Sequence, residues 1–172
     1  MTGRRGFFLG LGAAFAGRAL ARRAMLRQLR RSVASLNEGD YGPLLSTYAP
    51  DAVLRFTGGP HRWAGEHRGR DAIERFLQEF TRAGLRGELI DAWFAGPPWA
   101  MTLIARFDDE ARSPDGELLY GNRVAMVIRT RWGRIVEHED FYEDTGRIDA
   151  FELALRERGV EPASPAGGAT RP

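Results

Sequence analysis

Residues 99–143 read WAMTLIARFDDEARSPDGELLYGNRVAMVIRTRWGRIVEHEDFYE. Three runs inside this stretch alternate apolar and polar side chains: Trp99–Arg112, Glu117–Arg131 and Arg134–Glu143. Alternation with period two is the mark of a strand with one buried face. The breaks between the runs, Pro114-Asp115-Gly116 and Trp132-Gly133, are turn chemistry. Connections this short join antiparallel neighbours, because a parallel pair needs a crossover of a dozen residues or more. A fourth alternating run, Glu88–Ala95, precedes them behind Gly96-Pro97-Pro98. Residues 88–143 therefore predict an antiparallel meander.

Towards the N-terminus the period changes. Leu20, Met25, Leu29, Val33 and Leu36 recur at helical spacing over Arg18–Asn37, with arginines on the other face, and Gly39 supplies the stop. A short helix over Pro43–Tyr48 is closed by Pro50, and Ala52–Thr57 alternates as a strand until Gly58-Gly59-Pro60. Arg70–Ala83 is a third helix, with Ile73, Phe76, Leu77 and Phe80 on one face. A last helix is predicted over Ile148–Arg158, and residues 160–172 have the composition of a disordered tail. This order predicts an α+β fold in which helices cover one face of a curved sheet.

Composition narrows the chemistry. A chain of 172 residues with 43% apolar and 10% aromatic content can bury one domain-sized core. There is no cysteine, and all 25 basic residues are arginine. Thiolate, disulfide, Schiff-base and P-loop lysine chemistry are thereby excluded. The three histidines, His61, His67 and His138, lack the spacing of a metal site, so neither a metal nor a cofactor is expected. Carboxylate, histidine, tyrosine and arginine chemistry remain, or plain binding.

The net charge of +2 conceals a division: residues 1–35 hold eight arginines and no acid, whereas the remainder is acidic. Basic and aromatic residues are not interleaved along the folded body, so nucleic acid is not an expected partner. Arg4-Arg5-Gly6-Phe7-Phe8-Leu9 with Ala19-Leu20-Ala21 resembles a twin-arginine export signal over residues 1–21. The apolar run is too short to span a bilayer. Retained, the segment would keep the protein cytoplasmic and form a basic arm able to touch an anionic membrane.

Leu36-Asn37-Glu38-Gly39-Asp40-Tyr41, Tyr48-Ala49-Pro50-Asp51-Ala52-Val53, Gly69-Arg70-Asp71-Ala72-Ile73 and Trp132–Asp140 together resemble the nuclear transport factor 2-like superfamily. Within it the chain is most similar to the SnoaL-like proteins, over about residues 22–159. The resemblance implies a cone-shaped barrel in which a curved, mixed but largely antiparallel sheet wraps an apolar pocket closed by helices. It implies homodimers through the outer sheet face. Its members include polyketide cyclases, ketosteroid isomerases and limonene-type epoxide hydrolases, as well as proteins without activity, so the fold leaves the function open.

The same resemblance points to Asp140 as a general base acting on a small hydrophobic substrate of polyketide or terpenoid type. Alternation puts His138 and Tyr142 on its face of the last strand, where His138 can orient it. Arg106 and Asp108 match the Arg-x-Asp pair of the epoxide hydrolases and are expected to face Asp140. Two partner positions of that pattern hold Leu54 and Phe56, which argues against the reaction. No acid ends the first strand, so the isomerase pattern fits worse. Phe56, Phe80, Trp93, Tyr120 and Tyr142 are candidates to line the pocket, and Trp63, in the loop PHRWAGEH (residues 60–67), is a candidate rim or lid. A binding module without chemistry is the competing expectation.

Overall fold

The computed structural model describes the backbone of residues 5–163 and, Arg18 aside, side chains from residue 17 onward. The elements run α1 (Arg5–Asn37), α2 (Gly42–Leu45), β1 (Tyr48–Phe56), β2 (Gly65–Arg68), α3 (Arg70–Arg82), β3 (Leu85–Ala95), β4 (Thr102–Arg112), β5 (Leu118–Arg131), β6 (Arg134–Tyr142) and α4 (Thr145–Glu157). One six-stranded sheet has the order β2-β1-β6-β5-β4-β3. Its β3–β6 half is the meander that the alternating runs predict. β1 lies parallel to β6, which makes the sheet mixed.

Three local readings need correction. β2 was expected as loop; it has four residues, opens on Gly65 at φ 91° and is mostly exposed, so it carries no alternation to detect. β1 begins at Tyr48 and runs through Pro50, where Pro43–Tyr48 was expected to be helix. The pairing of β1 with β6 shifts register between Tyr48 and Val53, and such an irregularity accommodates a residue with no backbone donor. α1 reaches back to Arg5, so the backbone of the twin-arginine-like stretch is helical from that residue; residues 1–4 and the side chains of that stretch lie outside the described residues. Among the described residues no helix is long and apolar enough to cross a membrane.

Helices and sheet meet across one apolar layer. Ile73, Phe76, Leu77 and Phe80 of α3 and Leu36 of α1 are buried against Leu54, Leu103, Ala105, Phe107, Val124 and Ile128 of the strands. Burial of each large side chain contributes roughly 1.5–3 kcal/mol. The outer face of the sheet is different: Ile90, Trp93, Ile104 and Phe141 stand 39–52% exposed there.

A buried ion cluster closes the end of the domain next to α4. Arg62, 1% exposed at its side chain, donates from Nε to Glu152 Oε2 at 2.7 Å and from its terminal nitrogens to Glu79 Oε2 at 3.2 Å and the Val160 carbonyl at 2.6 Å. Ala163 N donates to Glu79 Oε1 at 2.6 Å. Residues 160–163 are thus tied to α3 and the Arg62 cluster, and the rest of the expected tail, 164–172, lies outside the described residues.

Candidate functional site

Between α1, α3 and the inner sheet face lies a cavity of about 430 Å³. Its mouth is at Ala24, Pro98 and Gly133, lining residues that are exposed. Inward from there the wall is Met101, Thr130 and Ile135, then Leu103 and Ile128, then Phe107 and Met126. Met25, Leu29, Val33 and Leu36 of α1 and Phe76, Leu77 and Phe80 of α3 complete it. The far end is polar, formed by Tyr48, His138, Asp140, Tyr142 and Asp109. Period-two alternation produces this gradient: every second residue of β4, β5 and β6 faces inward, with Asp109 following Phe107 on β4 and Asp140 and Tyr142 following His138 on β6.

His138 bridges two partners. Its Nε2 lies 2.8 Å from Asp140 Oδ1 and its Nδ1 lies 2.5 Å from the Tyr48 hydroxyl. A carboxylate has no proton to give, so His138 donates from Nε2 and accepts at Nδ1 from Tyr48; the network assigns the tautomer. Burial, and after it the Asp140 charge, push the Tyr48 phenol well above its ordinary pKa, so it keeps the proton that it donates. The result is a Tyr48–His138–Asp140 chain in which the second oxygen of Asp140 has no protein donor among the described residues.

Asp109 enters from β4. Tyr142 donates to its Oδ2 at 2.9 Å. Burial drives the Asp109 carboxyl up to about 7; the Tyr142 bond works against that, and the charges of Asp140 and Asp108 add to it. Tyr142 is itself raised, by burial first and then by the charges of Asp109 and Asp140. Gly87 of β3 lies alongside, where a Cβ would come within 3.1 Å of Asp109 Oδ1. The Asn37 amide clamps both the N–H and the carbonyl of Gly87 at 2.9 Å, fixing the end of α1 beside the acid. Asp109 also borders a polar surface cleft of about 790 Å³, so it touches both the apolar interior and a charged exterior.

The structure brings His138, Asp140, Tyr142 and Phe80 to the cavity. It does not bring Arg106 and Asp108 there. Arg106 pairs with Ala125, which pairs with Phe141, and Asp108 pairs with Arg123; this row faces outward, and both residues are exposed. The inward residues of that strand are Phe107 and Asp109, one position later in each case. Asp109 was missed because Asp108-Asp109-Glu110 offers three adjacent acids; the apolar phase set by Leu103, Ala105, Phe107 and Ala111 was the signal that singles it out.

Trp63 is no lid: it is buried, stacked on Phe151 at a centroid distance of 5.9 Å. Tyr120 packs on the opposite flank of the domain against the same Phe151, and Phe56 sits in an aromatic cluster with Phe76 and Tyr142 behind the cavity wall. Trp93 is 51% exposed on the outer sheet face. None of these four lines the cavity.

Comparison with known proteins agrees with the architecture. Bal32a, from a soil-derived mobile gene cassette, superposes with a TM-score of 0.63 at 21% identity, covering 77% of this chain and 98% of its own. A nuclear transport factor 2-like protein of Burkholderia pseudomallei aligns at a TM-score of 0.57 and 18% identity over 77% of this chain and 95% of that one. A proposed polyketide cyclase of Xanthomonas campestris gives a TM-score of 0.54 at 19% identity, over 76% and 98% of the two chains. No curated protein matches the sequence. The SnoaL-like domain model matches residues 29–138, more than half of the chain and most of the cavity wall, and the protein belongs to the SnoaL-like family of the nuclear transport factor 2-like superfamily.

Proposed function

We propose that the protein is an acid–base catalyst acting through side chains alone on a hydrophobic molecule of polyketide or terpenoid type, by proton transfer, isomerisation or cyclisation. The observation that carries this reading is the pair of carboxyls, Asp109 and Asp140, at the closed end of an otherwise apolar cavity. Asp140, oriented through His138 and Tyr48, is the base that removes a proton next to a carbonyl. Asp109, whose proton burial retains, is the acid that meets the developing oxyanion. The resemblance to a proposed polyketide cyclase supports the same class.

The epoxide-hydrolase alternative loses its arginine. The position two before Asp109 on the inward face is Phe107, and among the described residues no arginine lines the cavity. Nothing there would hold both carboxyls ionised at once.

Asp140→Asn tests the reading, because it keeps size and polarity and removes the base. With aromatic-polyketide and terpenoid ketones as candidate substrates, turnover should fall by about 10²–10⁴-fold while the melting temperature holds. A melting temperature that falls in step with activity would instead favour the competing reading, a binding module whose Asp140–His138 pair is structural. The exposed apolar residues of the outer sheet face support a further proposal, a two-fold homodimer through that face.

A further inference from the structure

The end of the domain that carries the cavity mouth has an unusual tip. The β5–β6 turn is Arg131-Trp132-Gly133-Arg134, with Trp132 at φ 50° and Gly133 at φ 78°. Positive φ at both central residues is a type I′ turn, whose first position favours asparagine, aspartate or glycine. Tryptophan in that conformation is strained, and here it is 78% exposed. Neither packing nor turn chemistry accounts for an indole at this position.

A second exposed tryptophan is tied to it through the backbone. Trp132 N donates to the Trp99 carbonyl at 2.9 Å, and Trp99, in the β3–β4 loop, is 53% exposed. Their chain neighbours Pro98 and Gly133 both line the cavity mouth, so the two tryptophans belong to the segments that form its rim. Ala21 of α1 lines the same mouth, next to Leu20, 64% exposed. From there α1 continues to Arg5, roughly 24 Å at 1.5 Å per residue. The sequence of that stretch is apolar from Phe7 to Ala16.

Charge at this end has one sign. Arg131 and Arg134 flank Trp132 in the chain; both are exposed and have no acidic partner among the described residues, Arg134 donating to the Ser46 carbonyl at 2.9 Å. Residues 1–35, 92–107 and 118–136 contain no acid at all. The first acid on β6 behind the turn is Glu137, and Arg129 already occupies it at 2.9 Å. Exposed tryptophans accompanied by arginines match the interfacial layer of an anionic bilayer, where indoles sit at headgroup depth and arginines meet lipid phosphate and carboxylate.

We propose that the mouth end of the domain docks on an anionic lipid bilayer through Trp99, Trp132, Arg131 and Arg134, with α1 alongside. The inference rests on the reading of the cavity as a site for an apolar molecule and deepens it: a substrate dissolved in the bilayer enters the mouth without crossing water, and the acids lie at the opposite end of the cavity from the bilayer.

The test uses the full chain with phosphatidylcholine vesicles, alone and mixed with phosphatidylserine, and with brominated phosphatidylcholine as a quencher of tryptophan fluorescence. The expected result is binding to the mixed vesicles that weakens with salt, together with quenching by the brominated lipid. Trp99→Gln combined with Trp132→Asn, the latter suited to the turn, should weaken binding roughly tenfold or more and remove most of the quenching. Arg131→Gln and Arg134→Gln, at exposed sites where folding is not at stake, should each weaken it about fivefold. Absence of vesicle binding overturns the proposal. So does binding that the indole and arginine variants leave unchanged, which would assign it to residues 1–35 alone, or capture of RNA or an acidic protein with no lipid quenching. Asp140→Asn should lose turnover and still bind vesicles, so failure of the membrane proposal and failure of the acid–base reading are separately visible.

Discussion

Asp109 and Asp140 enter one cavity from β4 and β6, with β5 between them, and their neighbours treat them in opposite ways. Asp140 receives the Nε2 proton of His138 at 2.8 Å, whereas Asp109 is bonded by the Tyr142 phenol at 2.9 Å and is pushed up to about 7 by burial. Two like charges in one apolar space resist joint ionisation. The asymmetry divides the pair into a proton acceptor and a proton donor.

That division has a pH signature. Turnover that needs the Asp109 proton should fall as pH rises through about 7, and Asp109→Asn should lose the activity by about 10²–10⁴-fold. Stability moves in the same direction. A carboxyl raised in the folded state from its ordinary 3.8 binds a proton that the unfolded chain has released, so stability falls between about pH 4 and about pH 7 and levels off above. Asp109→Asn should abolish that slope and melt higher than the parent at alkaline pH. Thermal melts across this range check both statements; a parent protein whose melting temperature rises from pH 5 to about pH 7 would contradict them.

Tyr48 matters through His138. Tyr48→Phe deletes the donor to Nδ1 and leaves a buried acceptor unpaired, at a cost of about 1–3 kcal/mol. The imidazole loses its anchor at the same time, so kcat should fall while substrate affinity changes little. Denaturant unfolding gives the first quantity and steady-state kinetics the second. Unchanged kcat would remove Tyr48 from the orienting chain.

Arg62 holds α3, α4 and residues 160–163 together from the interior. Arg62→Met removes the cation that Glu79 and Glu152 share in a buried site, leaving Glu152 only Arg156, and about 3–5 kcal/mol of stability should be lost. Burial raises the Glu152 pKa, but the hydrogen bonds from Arg62 and Arg156 outweigh it and hold the group below its ordinary 4.5. Its stabilisation is therefore present above about pH 4.5 and is lost as the pH falls further. Urea titrations at neutral and acid pH should show the parent losing this increment and Arg62→Met lacking it at both.

Assembly is read from the sheet's outer surface. Ile104→Arg with Phe141→Arg puts charge into the middle of the exposed apolar face without touching the cavity. Light scattering should give a dimer mass for the parent and a monomer mass for the variant. A parent monomer at micromolar concentration would dispose of the dimer.

Much of this molecule is written locally in its chain. Alternation in 99–143 determines the meander, because on a strand the period of burial is the period of the backbone itself. Helical spacing determines α3, whose buried positions Ile73, Phe76, Leu77 and Phe80 are those the spacing selects. The same alternation groups His138, Asp140 and Tyr142 on one face of β6. The phase of Leu103, Ala105, Phe107 and Ala111 also puts Asp109 on the inward face of β4, although three adjacent acids obscure it. Asp108 and Asp109 differ by one position, and one position reverses a side chain across the sheet. Pairing with β5 keeps that phase, with Phe107 opposite Val124 and Asp108 opposite Arg123, and it decides which residues of the neighbouring strands Asp109 meets. Tyr48 reaches His138 only because β1 lies parallel to β6, a neighbour ninety residues away in sequence. Trp63 likewise looks like a loop residue until α4 brings Phe151 against it. Local periodicity determined the elements and their faces; the register between strands and the long-range docking of helices, which depend on contacts no local pattern encodes, decided which of the facing residues meet.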